Sequence, residues 1–380
     1  MLAEANFWPS IKKSGEMQPL MIKKTAIKTA ITKLCLCALA PGVMLCLMSC
    51  ICTAQETSKQ NVPTLRTQSN VVFVPTLVTD KHGKLVFGLK ANDFIIEDDG
   101  VPQQINMDEA EPEEPVSMVI AIQTGRMALA EFQRMKTISS MLDQVVGQPQ
   151  VQTAIVTFDN EINLLQDFTF ESAQTETYLK KMMAGPLRDM GDAEDRSGAA
   201  IYDAVRYSVE LLKKQPEDSR RILLLISETR DHGSHAVKLD DAIAAIGDSN
   251  TVIYSLAFSP VGSTALDTLR GEWDARTDPA GPNLDIWRLL KMTREAMRKN
   301  APKSVAAMTG GEYDLFTSQQ SFERFMTEFA NHLHSRYFLR FQPRNPRPGL
   351  HQVKVKLKQG KDLTIIARRS YWVAEPKPAE

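Results

Sequence analysis

The strongest constraint on this chain is a repeated alternation. Runs of unbroken apolar residues are followed by stretches with helical spacing. SMVIAI, QTAIVTF, RILLLIS and TVIYSLAF are apolar without a polar alternate, so both faces of each strand must be covered. Helical spacing is read at Ala128–Val146, Glu171–Met183, Ala199–Lys214, Lys238–Ile246, Leu284–Lys299 and Gln319–Ser335. Buried strands alternating with helices predict an α/β fold: a doubly wound, mostly parallel open sheet with helices on both faces. EINLLQDF follows QTAIVTF after only a short turn, which predicts a hairpin and one antiparallel edge. RYFLRF is read as the last strand of this domain, spanning 116–343.

The two ends have a different texture. Residues 70–112 contain VVFVPTLVTD, KLVFGL, DFIIEDDG and PQQINM, short β-rich runs separated by the turn chemistry of DKHGK, KAND and DDGVP. Residues 344–375 add HQVKVKL, LTIIARR and SYWV. Neither set is large enough to bury a core by itself. Pairing them predicts a small flanking β module built from N- and C-terminal strands. Residues 55–69 read as a polar linker, and 259–283, rich in Gly, Pro, Asp and Thr, as a long insertion loop.

The N-terminus carries all five cysteines, between Cys35 and Cys52, inside an apolar run preceded by Lys23, Lys24, Lys28 and Lys33. Basic residues, an apolar stretch and a small-residue exit describe a secretory signal over 1–54, with cleavage expected beside Ala54. The expected product is exported, periplasmic or secreted, and free of cysteine. An uncleaved membrane anchor, or lipidation at Cys50, is the alternative. The better-placed start is Met21. A formal net charge of −1 gives no electrostatic footprint for nucleic acid.

The order of elements, together with VIAIQTGRM, RSGAAIYDAV, RILLLISETRDHGS and TGGEYDLF, resembles the von Willebrand factor type A (vWA) domain. More narrowly it is similar to the VWFA-related proteins common in acidobacteria, which are exported. The resemblance implies a metal-ion-dependent adhesion site at the C-terminal edge of the strands. That site would be built from Asp-x-Ser-x-Ser, a Thr and an Asp around Mg²⁺. At these positions the chain has Gln123, Gly125, Met127, Ala199 and Glu228, with Asp231 nearby. Mg²⁺ requires oxygen ligands in near-octahedral geometry, and Gly, Ala and Met supply none. The resemblance therefore implies a degenerate site that holds no metal, and no cofactor is expected.

Asp231, His232 and His235 in DHGSH are read as a polar loop, short of a placed metal set. His332 and His334 fall on different helix faces. Asp159 and Glu161 are read as turn residues. Trp287 is read as core through its spacing to Leu290, and Trp273 as a surface anchor. No Gly-x-Ser-x-Gly elbow or phosphate loop occurs. The function expected is a non-enzymatic module that binds a protein partner of the cell envelope or beyond. Contacts are expected through the strand-end loops, with Arg126, Asp231 and Trp273 as candidates. The alternative is a metal-dependent module using Glu228 and Asp231.

Overall fold

The computed structural model describes residues 71–108, 114–184, 198–258, 286–344, 346–360 and 362–375. The expected signal (1–54), linker (55–69) and insertion (259–283), and with them Cys50 and Trp273, lie outside the described residues.

The centre is β5 (Val116–Gln123), in which every residue is buried. Parallel partners flank it: β6 (Val151–Phe158) on one side and β8 (Arg220–Glu228) on the other. Beyond β8 come β9 (Thr251–Phe258) and the short β10 (Tyr313–Leu315), both parallel. Beyond β6 lies β7 (Ile162–Thr169), antiparallel as the hairpin spacing predicts. The six-stranded order is β10-β9-β8-β5-β6-β7.

Successive side chains of a strand point to opposite faces, and β5 feeds two cores accordingly. Met118, Ile120 and Ile122 join the cluster containing α2 (Ile138–Val146), α3 (Ser172–Ala184) and α8 (Gln319–Leu333). Val119 and Ala121 join the other, with α4 (Ile201–Lys213), α5 (Leu239–Asp248) and α7 (Ala301–Thr309). The chain also carries α1 (Arg126–Glu131) and α6 (Ile286–Lys299). Among the described residues no helix is long and apolar enough to cross a membrane.

Both chain ends build the flanking module. One sheet has the order β13-β1-β11-β4, from Thr364–Ala367, Val72–Thr79, Tyr337–Phe341 and Asn106–Asp108. The other is β14-β12-β2-β3, from Ser370–Val373, Gly349–Leu357, Phe94–Asp98 and Val101–Pro102. Val74, Val78, Leu339 and Phe341 of the first sheet share a core with Phe94, Ile96, Val353 and Tyr371 of the second.

Four local readings are corrected. RYFLRF is not in the central sheet: β11 pairs with β1 and β4, and its partial alternation of burial suits a strand with one covered face. The helix expected over Ala128–Val146 breaks at a 3₁₀ turn, Phe132–Arg134. There Phe132, Met135 and Ile138 are all buried at three-residue spacing, the 3₁₀ period. Helix α7 lies in a stretch, 300–309, to which no helix is assigned from the sequence; Asn300 caps it by accepting from Lys303 N at 3.0 Å. Trp287 is 72% exposed rather than core, because the buried face of α6 begins one turn later, at Leu290, and continues to Met297.

Two buried arginines fasten the sandwich to the α/β layer. Arg368 donates from Nε to Ser370 O at 2.8 Å, and from its terminal nitrogens to Phe73 O at 3.3 Å and to Gly247 O. Burial pulls its pKa down to about 10, which leaves it charged at neutral pH. Arg336 donates to Tyr254 Oη, Gly310 O and Glu312 Oε2. The backbones meet closely here. A Cβ at Gly247 would lie 2.8 Å from Trp372 Cβ, and one at Gly310 (φ +82°) 2.5 Å from Arg368 N. Arg368→Met should strand these carbonyls and lower stability by about 3–5 kcal/mol. The change would be read as a lower urea midpoint. Arg368→Lys should recover only part of it, since an ammonium cannot reproduce the planar fork.

Candidate functional site

The C-terminal ends of β5, β6 and β8 bring three loops together, the place where open α/β sheets usually carry ligands. The first follows Gln123. Thr124 N donates back to Phe158 O at 2.8 Å, which holds the loop against β6. Gly125 then caps α1 with no side-chain hydrogen bond. Arg126 opens that helix. Met127 and Leu129 follow it and are 40% and 38% exposed, so an apolar patch stands at the rim.

Gln123 is 1% exposed and points inward. Its Nε2 donates to Glu228 Oε1 at 2.8 Å, and its Oε1 accepts from Glu228 N at 2.8 Å. The amide thus spends both ends on one residue of the neighbouring strand. The second carboxylate oxygen, Glu228 Oε2, lies 3.1 Å from His232 Nε2. Glu228 is 6% exposed, and a carboxylate so buried requires such donors.

The loop after β8 folds onto the N-terminus of α4. Ala200, the N-cap, offers no side chain to the helix. The capping comes from the other loop: Asp231 Oδ2 accepts from Tyr202 N at 3.0 Å, and Ser234 Oγ accepts from Asp203 N at 3.1 Å. A carboxylate at a helix N-terminus is also favoured by the helix dipole. His232 N donates to Ala199 O at 3.2 Å. Gly233 is pressed so flat that a Cβ would lie 2.9 Å from both Ala199 N and Ala200 N. Ala199 is wholly covered as a result.

Asp203 completes the arrangement and was not singled out in the sequence. Its carboxylate accepts from His235 N, Ala236 N and Val237 N at 3.0, 3.1 and 2.9 Å. An Asp in the first turn of a predicted helix was the available signal. Tyr202, beside it, donates to Met297 O at 3.2 Å. Burial, with the Asp231 charge adding to it, pushes this phenol up to about 12. Asp159 serves a turn, accepting from Glu161 N at 3.0 Å. His332 pairs with Glu312 at 2.8 Å. His235 is exposed, and its ring nitrogen Nδ1 is 3.1 Å from Gly233 O.

The structure therefore brings Gln123, Glu228 and His232 into one network and Asp231, Ser234 and Asp203 into a second. Arg126 and Met127 stand beside them in sequence at the rim.

No family model matches the chain, and no curated protein is significantly similar to it. Similar solved structures include an aerotolerance-related membrane protein from Bacteroides fragilis, at 16% identity and TM-score 0.36, covering 57% of this chain and 99% of that one. The PilB minor pilin of Streptococcus sanguinis is 10% identical with TM-score 0.38, over 60% of this chain and 63% of that one. The vWF domain of the type V pili tip protein Mfa5 from Porphyromonas gingivalis is 10% identical with TM-score 0.35, over 58% and 95%. Likenesses this distant carry no function across. The fold is vWA-like on its own topology: five parallel strands, one antiparallel edge and helices on both faces.

Gln123→Leu should leave Glu228 N–H unpaired and remove a donor from its carboxylate, costing about 2–4 kcal/mol. Glu228→Gln keeps an acceptor for Gln123 and should cost about 1 kcal/mol. Paired chemical denaturation of the two variants checks the ordering.

Proposed function

We propose that the chain is an exported, non-enzymatic protein-binding module whose partner docks on the strand-end loops without a bridging cation. The observation that carries this reading is the closed pairing of Gln123 with Glu228. A bridging Mg²⁺ must find oxygen atoms free to enter its shell. Here the Gln123 oxygen holds Glu228 N–H, and each Glu228 oxygen already faces a nitrogen of Gln123 or His232. The amide N–H donates a hydrogen bond to the carboxylate in the place where the resemblance would set a cation. Asp231 is committed to the N-terminus of α4 and to Ser234, which argues against its service as a ligand in the alternative, metal-dependent reading.

The rim supports the same view. Recognition through a metal needs an acidic side chain on the partner. Recognition through exposed Met127 and Leu129 needs apolar contact, with Arg126 and Trp273 proposed as further contacts. Aromatic residues, Met and Arg are enriched in protein interfaces.

The test is a thermal melt of the full chain in EDTA, repeated with excess Mg²⁺, Mn²⁺ or Ca²⁺. A ligand that binds only the folded state raises the midpoint with concentration. The expected outcome is an unmoved midpoint in Mg²⁺ and Ca²⁺. A rise abolished by Glu228→Ala would overturn the metal-free reading. Met127→Asp should weaken partner capture from envelope extracts in EDTA without lowering the melt.

A further inference from the structure

The flanking sandwich holds a second polar cluster that the strand-end loops do not use. The turn joining β2 to β3 places Asp98 and Asp99 side by side. Asp99 (φ 48°) and Gly100 (φ 82°) make its left-handed centre. His351 arrives from β12 and Tyr371 from β14, its ring stacked on the imidazole at 4.8 Å. Asp98 is 8% exposed and His351 1%.

The hydrogen bonds divide each residue in two. His351 Nε2 donates to Arg347 O at 2.6 Å. Tyr371 Oη donates to Asp98 Oδ2 at 3.0 Å. Gln352 N donates to Asp99 Oδ1 at 2.9 Å. Each residue thus has one atom anchored and one turned inward. His351 Nδ1 is 2.8 Å from Asp99 Oδ2 and 3.7 Å from Asp98 Oδ1. Asp98 Oδ1 is buried and has no hydrogen-bond partner. One ligand atom from each of the three residues lies within 4.8 Å of the others.

We propose that Asp98, Asp99 and His351 form a binding site for one divalent transition-metal ion of the zinc class. Four arguments converge. Asp98 Oδ1 is a buried carboxylate oxygen with no hydrogen bond, 3.7 Å from an imidazole nitrogen, and an oxygen left so is costly unless another group meets it. A metal-bound histidine characteristically donates its other N–H to a carbonyl, as His351 does to Arg347, and bound carboxylates are themselves hydrogen-bonded from outside. Zinc bonds of about 2.0–2.2 Å set tetrahedral ligands roughly 3.4 Å apart, and the measured 2.8 and 3.7 Å bracket that spacing. Mixed nitrogen and oxygen ligation suits zinc and its neighbours better than the oxygen-seeking Mg²⁺ and Ca²⁺ or soft Cu⁺. Two carboxylates and a neutral imidazole around a divalent ion also sum to zero charge. The ion displaces the proton held between His351 and Asp99. Asp99 is the partly exposed member, its side chain 18% exposed and 3.9 Å from Arg347 Nη2, so the fourth ligand of the proposed ion would be solvent on that side.

The test uses the full chain with Cys35, Cys37, Cys46, Cys50 and Cys52 replaced by serine, so that no thiol competes. After EDTA treatment it is titrated with Zn²⁺ by calorimetry, and with Co²⁺ by visible absorption. The expected result is uptake of one equivalent, with a thermal midpoint that rises with Zn²⁺. Asp98→Asn and His351→Gln should each weaken binding at least tenfold, and Tyr371→Phe about tenfold, the usual size of an outer-shell loss. Asp98→Asn keeps the volume and the Tyr371 hydrogen bond, so it decides the matter if His351→Gln fails to fold. Absence of uptake, or uptake that survives Asp98→Asn, overturns the proposal. Uptake lost in Glu228→Gln but kept in Asp98→Asn also overturns it, and would place the ion at the strand-end loops instead.

Discussion

A guanidinium taken out of water must be met by acceptors, and in this protein those acceptors define how two layers join. Arg368 is 3% exposed and finds carbonyls from β1, from the C-terminal turn of α5 and from Ser370 at the start of β14. Losing those partners would leave a buried charge, which is far costlier than losing apolar contact. The seat is therefore geometrically exacting. Gly247 and Gly310 let the backbones approach it, and Arg336 repeats the device at Tyr254, Gly310 and Glu312. The sandwich is set against the helices at one distance and in one orientation.

The strand-end loops follow a related logic with neutral groups. Gln123 braces Glu228 through both ends of one amide, and helix α4 is capped by residues of another loop. Loops held this way keep their shape without a ligand. A rim prepared in advance loses less conformational freedom when a partner arrives. In the proposed function such a surface would be recognised by fixed contour, with exposed Met127 and Leu129 adding apolar area beside it.

What the sequence made legible follows from periodicity. The strands β5, β6, β8 and β9 are covered on both faces, so their unbroken apolar runs were plain. The short spacing of β6 and β7 marked the antiparallel edge. Two chain ends too poor in apolar residues to stand alone implied each other. β11 was misplaced because a five-residue strand beside a helix reads the same in either sheet. Helix α7 was hidden by Asn300 and Pro302, which mark a turn and a helix start equally well. The resemblance drew attention to Gln123 and Glu228, but their mutual hydrogen bonds are a tertiary fact. Asp203 looked like one acid of an ordinary first turn. Asp98 and Asp99 passed as hairpin chemistry because His351 joins them from the far end of the chain, a proximity that no local pattern encodes.

The pairing of β1 with β11 and β13 has a consequence for how the molecule comes into being. The first described strand has both its neighbours near the end of the chain. During synthesis β1 emerges early and waits, with unsatisfied backbone edges, until β11 and β13 have been made. Pairings so distant in sequence close slowly. The α/β layer has the more local contacts and would form first, offering the surface on which the sandwich is completed. A chain that stopped before β11 would leave the α/β layer beside a β1 with neither of its neighbours to pair with. Quality control would then act on the sandwich rather than on the α/β layer.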